Sequence, residues 1–470
     1  MAREGFTRQV SEFVAALRYE DLPPSVVAKA KECILDQMGV QIMGSTLEWN
    51  KLVGDFVRDY AGKPESTVVN YGYRVPAYDA ALSNATFGQG CELDDYGNGG
   101  HGGAATVPVG LALSETQPMT GRSLINAVVA GYEVMYRVGQ LAAEGMRRRG
   151  FHSDSVLGFF GAAATAAKAL ALTPVQTLHS LAIVGSHACG TLEFDQSGGE
   201  VKRLHAGLGA RGGIQSALLA ERGLTGPSMI LEGRRGICRT FADYEGDFDP
   251  ALRGLGQDFL MPMVSFKIYP CLGRIASSID AVVQLTKEHA ILPQDIASID
   301  IQVNENTLLH GGFIRQPKDV CGAQVSLAFC VALRLARGSN DLALYLDPQV
   351  WVDPVVLALI EKIQVRADPE ARGERLRSAR VAVRLASGRR VEAHQVYPKG
   401  SPNDPLSWSE LADKFTRLAS TALAPDQICQ VLGMVERLES LQDVSSLMPL
   451  LVSKRTQPHH RSSSAEVGAK

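Results

Sequence analysis

Four short polar segments of this chain carry side chains that could do acid–base chemistry. They are residues 92–95 together with His101, residues 150–152, residues 202–205 and residues 266–270. Each segment places a carboxylate, an imidazole or an ammonium group among glycines, alanines and large apolar residues. Such groups are costly in a hydrophobic core but useful in a ligand pocket. The four segments are therefore the candidates for a functional site.

The first segment brings Glu92, Asp94, Asp95 and His101 within ten residues, with five glycines between and after them. A glycine-rich backbone can pass close to a ligand because it has little bulk. Glycine and aspartate are equally typical of turns and helix N-caps, so a structural role is the alternative. Two carboxylates and an imidazole would also suit a divalent cation. The sequence has no HxxxH, HxH or CxxC spacing to support one, so we predict no metal site.

His152 precedes Ser153 and Ser155, which have the residue type of helix N-caps and stand before an alanine-rich apolar stretch. The positive end of a helix macrodipole favours the neutral form of a nearby imidazole. A histidine in this place could act as a base or as a hydrogen-bond partner. The alternative is an ordinary loop histidine.

The other two segments are basic. Lys202, Arg203 and His205 stand immediately before a small-residue helical run, where three cations would form an anion cradle; a solvated basic turn is the alternative. Lys267 lies between apolar neighbours and Tyr269. An ammonium group in such surroundings needs a partner, and its pKa shifts easily.

Several common catalytic motifs are missing from the sequence. It contains no GxSxG nucleophile elbow, no Walker loop and no strand-borne GxGxxG, and the glycines near residues 97–103 do not follow a strand. Acid–base chemistry without a cofactor, on an anionic substrate, is the function that these residues favour.

The overall composition excludes a nucleic-acid surface and indicates a soluble protein. There are 47 basic and 50 acidic residues, for a formal net charge of -3, and no basic stripe interleaves with aromatic residues. Any positive field must therefore be local to a pocket. The 8 cysteines are scattered without a CxxC pair, and no signal peptide or membrane span is recognisable. We therefore expect a reduced, cytoplasmic protein that binds no membrane.

The spacing of apolar residues predicts a mainly α-helical protein with an inserted α+β unit. Helical spacing dominates residues 1–262, many of whose buried positions are alanine or glycine. Residues 263–400 add alternating strands near 299–303, 381–385 and 391–396 to helices near 275–289, 324–336 and 354–363. Helical spacing returns over residues 401–455, which we expect to pack on the first domain. Residues 456–470 lack an apolar period and are expected to be disordered.

Taken together, the four segments and their neighbours resemble the MmgE/PrpD family, which includes 2-methylcitrate dehydratase, cis-aconitate decarboxylase and an iminodisuccinate epimerase. The resemblance covers nearly the whole chain. It rests on ELDD at 92–95, HGGAATVP at 101–108, GFH at 150–152, GFFGAAA at 158–164, VKRLH at 201–205, KIYPC at 267–271, QPK at 316–318, VSLAFC at 325–330 and GSPNDPLS at 400–407.

The resemblance implies an all-helical main domain built from both ends of the chain, a central α+β lid domain and a homodimer. It also implies an active site between the domains. There His101, His152, Lys202 and Lys267 would surround a small polycarboxylate, and Glu92 matches a position that is acidic in the decarboxylases. In the mammalian decarboxylase a histidine stands five residues after the lid lysine, where this chain has Leu272. Many members have a histidine slightly later, around Ala276, and here the nearby polar residue is Arg274.

Dehydration of 2-methylcitrate or a related 2-alkylcitrate is the leading hypothesis. Lys202 and Lys267 would hold carboxylates and stabilise an enolate-like charge. One of His101 and His152 would remove a carbon-bound proton and the other would protonate the departing hydroxide, while Asp94 or Asp95 would orient a histidine.

The same residues leave other hypotheses open. Glu92, Asp95, Arg203, His205, Tyr269 and Arg274 are the candidate substrate-binding residues. A cis-aconitate decarboxylase, an iminodisuccinate-type epimerase and a diverged, non-catalytic protein that binds carboxylates are the alternatives. The loss of histidine at Leu272 and Ala276 supports the last of these.

Overall fold

The computed structural model describes residues 5–97, 99–373 and 376–454. The segment 456–470, for which the sequence predicts disorder, lies outside the described residues. In the part that is described, the chain is mainly helical, with a single four-stranded sheet and a short hairpin, so the predicted fold class is confirmed. No described helix is both long and apolar enough to cross a membrane.

The first part of the chain is almost entirely helical. A hairpin of β1 (Ser66–Thr67) and β2 (Arg74–Val75) interrupts it, and the turns Tyr19–Asp21 and Met261–Met263 are 3₁₀ helices. Its helices are α1 (Phe6–Ala16), α2 (Pro24–Gly44), α3 (Glu48–Asp59), α4 (Ala77–Gln89), α5 (Gly102–Ser114), α6 (Gly121–Arg148), α7 (Ser153–Ala169), α8 (Pro174–Val184), α9 (Phe194–Ser197), α10 (Val201–Glu221), α11 (Ile237–Ala242) and α12 (Asp249–Leu252).

Small residues let the central helices pack closely. All thirteen residues of α5 are buried. A Cβ atom added at Gly213 of α10 would lie 2.5 Å from the Cβ of Ala162 in α7, and one added at Gly131 of α6 would lie 2.0 Å from Oγ1 of Thr165. Such contacts require glycine, because cores are packed without spare volume. The alanine and glycine pattern of the sequence therefore reflects close helix packing.

The second part of the chain surrounds the sheet. Its helices are α13 (Ala276–His289), α14 (Glu305–Thr307), α15 (Val320–Val325), α16 (Leu327–Arg337), α17 (Leu342–Leu346), α18 (Pro348–Trp351) and α19 (Pro354–Lys362), with 3₁₀ turns at Gly273–Ile275 and Pro293–Asp295 and a π-helical turn at Leu308–Gly312. The strands are β3 (Ile296–Val303), β4 (Ile363–Ala367), β5 (Ala379–Leu385) and β6 (Arg390–Gln395). They are ordered β4-β3-β5-β6; β3 and β4 are parallel and the other pairs are antiparallel.

Some predicted elements differ from the observed ones. The helix expected over 354–363 ends at Lys362, and Ile363 begins strand β4, which was not predicted. The helix expected over 324–336 is two helices, because Ser326 has an extended backbone and its Oγ accepts a hydrogen bond from the N–H of Phe329. A Ser N-cap of this kind starts a new helix.

The end of the chain returns to the helical part. Helices α20 (Trp408–Ala419) and α21 (Pro425–Glu436) are followed by 3₁₀ turns at Leu438–Ser440 and Val444–Leu451. The main hydrophobic core joins residues between Phe6 and Phe266 to residues between Leu406 and Leu451, whereas a second core is built mostly from residues 269–393. The domain limits near 263 and 400 stay a prediction.

Candidate active site

A cavity of about 180 Å³ lies between the helical part and the sheet-containing part of the chain. Twenty residues line it. They are Glu92, Tyr96, Gly97, Gly100, His101, Arg147, His152, Ser153, Asp154, Leu192, Phe194, Asp195, Lys202, Lys267, Leu272, Gly273, Arg274, His310, Val325 and Arg377. All four polar segments of the sequence contribute to this one cavity.

Three helix N-termini converge on the cavity. His101 is the N-cap of α5, His152 is the N-cap of α7, and Lys202 is the second residue of α10. Because helix N-termini carry partial positive charge, this arrangement suits an anionic ligand. One expectation is corrected here: Lys202, Arg203 and His205 lie inside the first turns of α10 and not before it, since α10 begins at Val201.

Glu92 links the two lysines. Its Oε1 pairs with Lys202, and its Oε2 lies 2.9 Å from Nζ of Lys267, which is also 3.8 Å from Oδ1 of Asp94. Burial opposes the charge on Glu92, but Lys202 and Lys267 hold its pKa well below the ordinary value. Burial also opposes the charge on Lys267, and Glu92 and Asp94 raise its pKa nevertheless. Glu92 has φ of 56°, a left-handed conformation that is uncommon outside glycine and clusters at functional sites.

His101 is held at one ring nitrogen and presents the other to the cavity. Its Nδ1 donates a hydrogen bond to the backbone oxygen of Asp95 at 2.9 Å and lies 2.8 Å from Oδ2 of Asp94. Its Nε2 lies 3.6 Å from Oδ2 of Asp154. Burial alone would lower the pKa of His101, but the charge of Asp94 outweighs it and raises the pKa above the ordinary value. His101 is therefore suited to donate a proton from Nε2.

His152 has the opposite character. Its Nδ1 is 2.8 Å from Nδ1 of His205, so one ring donates a hydrogen bond to the other, and its Nε2 is 3.6 Å from Oδ2 of Asp154. Burial lowers the pKa of His152 to about 3 despite the charge of Asp154, and burial with the charge of Lys202 lowers that of His205 to about 4. Both rings are therefore neutral at physiological pH.

The structure brings six of the eleven predicted site residues to the cavity wall. These are Glu92, His101, His152, Lys202, Lys267 and Arg274. Two more predicted residues do not line the cavity but contact residues that do. Asp94 pairs with His101, and His205 is hydrogen-bonded to His152.

The remaining three predicted residues do not line the cavity. The Asp95 carboxylate accepts hydrogen bonds from the N–H of Gly103 and the hydroxyl of Tyr132, and burial raises its pKa to about 7. Arg203 contacts Glu200 and the backbone oxygen of Gly90, and its guanidinium lies 4.2 Å from the Trp49 ring. The Tyr269 hydroxyl donates to Asp280 at 2.7 Å.

The sequence did not assign seven polar residues of the cavity wall to the site: Tyr96, Arg147, Ser153, Asp154, Asp195, His310 and Arg377. Asp154 lies 3.6 Å from the Nε2 atoms of both His101 and His152; in the sequence it stands between Ser153 and Ser155, which have the residue type of helix N-caps. Arg147 and Tyr96 lie close in sequence to the polar segments, and no other feature of the sequence indicates that they belong to the site. His310 lies in the π-helical turn Leu308–Gly312 and Arg377 lies in the turn before β5, and nothing in the sequence distinguishes either residue.

Leu272 lines the cavity and Ala276 does not. Leu272 and Val325 form an apolar part of the wall, and a Cβ atom added at Gly311, next to His310, would lie 3.8 Å from Cδ2 of Leu272.

Within the described ranges, no group of three or more His, Cys, Asp and Glu side chains is arranged to hold a metal ion.

The geometry combines a proton donor, a neutral histidine pair and several cations in one small cavity. These parts suit a reaction in which a carbanion or enolate forms on an anionic substrate and is then protonated.

Comparison with known proteins covers the same regions. Residues 8–248 match the MmgE/PrpD N-terminal domain and residues 269–439 match the MmgE/PrpD C-terminal domain. The chain is 27% identical to a cis-aconitate decarboxylase-like protein, oryM, of Aspergillus oryzae, over 95% of this chain and 97% of that protein.

Two further relatives have similar coverage. The cis-aconitate decarboxylase of Aspergillus terreus is 25% identical over 96% of each chain, and that of Homo sapiens is 28% identical over 96% of this chain and 95% of the human protein. Both halves of the chain thus match one family, and the chain belongs to the MmgE/PrpD family.

Proposed function

We propose that this protein is a lyase that decarboxylates a small tricarboxylate of the cis-aconitate type. The single observation that carries the proposal is the state of His101, a residue of the cavity wall whose Nδ1 is held by Asp94 and the backbone oxygen of Asp95, while its Nε2 lies 3.6 Å from Asp154, another residue of that wall. Relatives that are named cis-aconitate decarboxylases support the same class of reaction.

The other titratable groups make decarboxylation preferable to reactions that begin with proton removal. A decarboxylation needs a proton donor and cations that stabilise negative charge, but no strong base. The carboxylates of Glu92 and Asp154 and the imidazole of His152 have lowered pKa values, so they are weak bases. The cavity is better equipped to give a proton than to take one.

The proposed reaction balances without a co-reactant. In cis-aconitate one carboxylate is attached to a CH₂ group beside the carbon–carbon double bond. When that carboxylate leaves as CO₂, its electron pair forms a new double bond to the central carbon, and the old double bond's electrons move to the far carbon. His101 Nε2 protonates that carbon, giving a five-carbon dicarboxylate, and His101 regains its proton from water.

Dehydration of 2-methylcitrate or a related 2-alkylcitrate is the second candidate. It is favoured by the presence of two histidines, His101 and His152, on one cavity with Asp154 between them. His101 would protonate the departing hydroxide, and His152 would have to remove the carbon-bound proton. With a pKa of about 3, His152 is a poor base for that step, which places this candidate second.

Incubation of the purified protein with cis-aconitate, 2-methylcitrate, citrate and iminodisuccinate in deuterated water, followed by NMR and CO₂ release, separates the candidates. We expect CO₂ and one deuterium in the product from cis-aconitate. Water loss from 2-methylcitrate without CO₂ would replace decarboxylation by dehydration. Deuterium exchange without net product would indicate epimerisation, and no reaction with any of them would leave a carboxylate-binding protein.

Replacing His101 tests the residue at the centre of the proposal. We expect His101→Gln to lower kcat by about 10²–10⁴-fold, the usual contribution of a positioned proton donor. His289→Gln is the matched control, because His289 ends α13 and does not line the cavity. Equal activity of His101→Gln and the control would remove His101 from the mechanism.

A further inference from the structure

Positive side chains outnumber carboxylates in the cavity wall. Two lysines and three arginines line it, against the carboxylates of Glu92, Asp154 and Asp195. Each of these carboxylates has a partner of its own. Glu92 pairs with Lys202 and Lys267, Asp154 lies 3.6 Å from His101 and His152, and Asp195 lies 3.6 Å from Nδ1 of His310.

The three arginines come from three different places in the chain. Arg147 is at the end of α6, Arg274 is in the 3₁₀ turn Gly273–Ile275, and Arg377 precedes β5. Arg147 donates to Oγ of Ser153 at 2.9 Å, and Arg377 donates to Oγ of Ser265 at 3.4 Å. Among the described residues, no carboxylate lies within ion-pair distance of any of the three, and Arg274 has no hydrogen-bond partner there.

These guanidinium groups are close enough to repel one another. Burial, together with the charges of Arg147 and Arg377, lowers the pKa of Arg274 to about 10, although the charge of Asp154 acts in the opposite direction. The guanidinium of Arg377 also lies 4.4 Å from the centroid of the Tyr96 ring, which fixes its orientation. Three guanidinium groups in one cavity wall, none of them in an ion pair with a carboxylate, form a site that gains stability when an anion with several oxygens enters.

The two lysines are less available for that role. Both are already joined to Glu92, whose buried carboxylate they share. A substrate carboxylate that bound to the two lysines would have to compete with the carboxylate of Glu92. The sequence-based expectation that Lys202 and Lys267 hold the substrate carboxylates therefore has an alternative within the same cavity.

We propose that Arg147, Arg274 and Arg377 form a carboxylate-binding subsite that holds the carboxylates retained in the product and selects tricarboxylates over substrates with fewer carboxylates. This inference rests on the proposed function, because it concerns the substrate carboxylates that do not leave as CO₂. In this arrangement the leaving carboxylate lies away from the arginines, which would otherwise stabilise it and oppose its loss as CO₂. The guanidinium forks bind the remaining carboxylates in pairs of parallel hydrogen bonds.

Binding of an unreactive ligand tests the subsite independently of catalysis. Propane-1,2,3-tricarboxylate lacks the double bond, and glutarate has the same chain without the central carboxylate. Titration calorimetry of the full chain is expected to show tighter binding of the tricarboxylate than of glutarate. Arg274→Met and Arg377→Met are each expected to weaken tricarboxylate binding by about 10–100-fold, the size of a lost charge-assisted hydrogen-bond pair.

The control variants separate charge, geometry and folding. Arg384→Met removes an exposed arginine from β5 of the same part of the chain and is expected to leave binding unchanged. Arg274→Lys keeps the charge but loses the fork, so its affinity is expected to lie between wild type and Arg274→Met. A thermal unfolding curve of each variant confirms that the protein measured is folded.

The outcomes distinguish this inference from the proposed function. If the arginine variants lose tricarboxylate binding but wild type releases no CO₂ from cis-aconitate, the subsite stands and decarboxylation fails. Wild-type affinity in both Met variants overturns the subsite, even if decarboxylation is found. Failure of the wild-type protein to bind the tricarboxylate also overturns the subsite.

Discussion

His101, His152 and His205 illustrate how neighbours decide the chemistry of one residue type. His152 and His205 are buried and the His101 side chain is only 11% exposed, yet His101 lies beside Asp94 whereas His152 lies beside another imidazole and is affected by the charge of Lys202. An adjacent carboxylate stabilises the protonated ring, and an adjacent cation destabilises it. One of these histidines is therefore a proton donor near neutral pH and the other two are neutral.

The effect of Asp94 on His101 predicts a pH dependence. The pKa of His101 is raised, so its acid form is present at low pH and is lost as the pH rises through that value, and activity is expected to fall there. Asp94→Asn removes the charge that raises the pKa of His101, so the fall in activity is expected to move toward lower pH. The measurement is kcat against pH.

Asp413→Asn, an exposed change on α20, is the control for that shift. It is expected to leave the pH profile in place. A profile of Asp94→Asn that coincides with wild type would mean that His101 is not the group whose deprotonation stops the reaction.

At this scale the sequence identified residue types but not their partners. Glu92 and Lys267 are 175 positions apart, and Glu92 and Lys202 are 110 apart, so no local spacing pairs them. The ordered resemblance placed them in one pocket, but only the folded chain shows that Glu92 occupies both lysines. Arg377 could not be found in advance, because a single arginine in a loop has no distinguishing pattern.

Helices α7 and α10 bring His152 and Lys202 together, and their contact depends on small residues. Gly209 and Gly213 of α10 face Gly158 and Ala162 of α7. A larger side chain at this contact would separate the helix ends that carry the site. A substitution at the contact between α7 and α10 is therefore expected to affect both the stability of the protein and the geometry of the site.

Gly213→Ala tests this contact. The new Cβ would meet the Cβ of Ala162 at 2.5 Å, so we expect destabilisation of about 1–3 kcal/mol, as for other overpacked cores. The measurement is the free energy of unfolding in urea, together with kcat. We also expect reduced activity, because α10 carries Lys202.

Gly433→Ala is the matched control in α21, where nothing lies within 4 Å of the added Cβ. There alanine is expected to be neutral or to stabilise by up to about 1 kcal/mol, because it is the better helix former. Equal effects at the two positions would show that α7 and α10 can move apart without cost.

Helix positions followed from the sequence more readily than the sheet did. Regular apolar spacing marks α6 and α7, whereas β4 has only five residues and reads as the continuation of α19. Its strand conformation comes from parallel pairing with β3, a contact between Ile299 and Ile363 that local propensity does not encode.

Lys414 joins three distant parts of the molecule at one buried point. Its Nζ is 2.5 Å from Oδ1 of Asp36 in α2 and 2.7 Å from the backbone oxygen of Leu93. Leu93 stands between Glu92 and Asp94, so helix α20 supports the segment that carries both carboxylates. The end of the chain thus contributes to the site without lining the cavity.

Lys414→Met is expected to destabilise the protein by about 3–5 kcal/mol, because it leaves the carboxyl group of Asp36 buried without its ion-pair partner. It is also expected to lower activity through the position of Glu92. Urea unfolding and kcat are the measurements. Lys454→Met breaks an exposed pair with Asp426 and serves as the control, and it is expected to leave stability nearly unchanged because exposed ion pairs contribute little. Equal effects of the two changes would contradict a supporting role for α20.

Whole-molecule predictions from the sequence had mixed outcomes. The mainly helical fold class and the family are confirmed, because apolar periodicity and ordered motifs are properties of the sequence itself. The homodimer and the cytoplasmic location stay predictions, since the contacts of a single chain test neither.

The composition of the main core has a consequence for synthesis. Residues from both ends of the chain complete that core, so it cannot close until residues 406–451 have left the ribosome. At 5–20 residues per second, the intervening stretch of residues 267–405 delays closure by roughly 7–28 s. During that interval the nascent helices α1–α12 expose the surface that α20 and α21 later cover, which makes this the period when chaperones have most to protect.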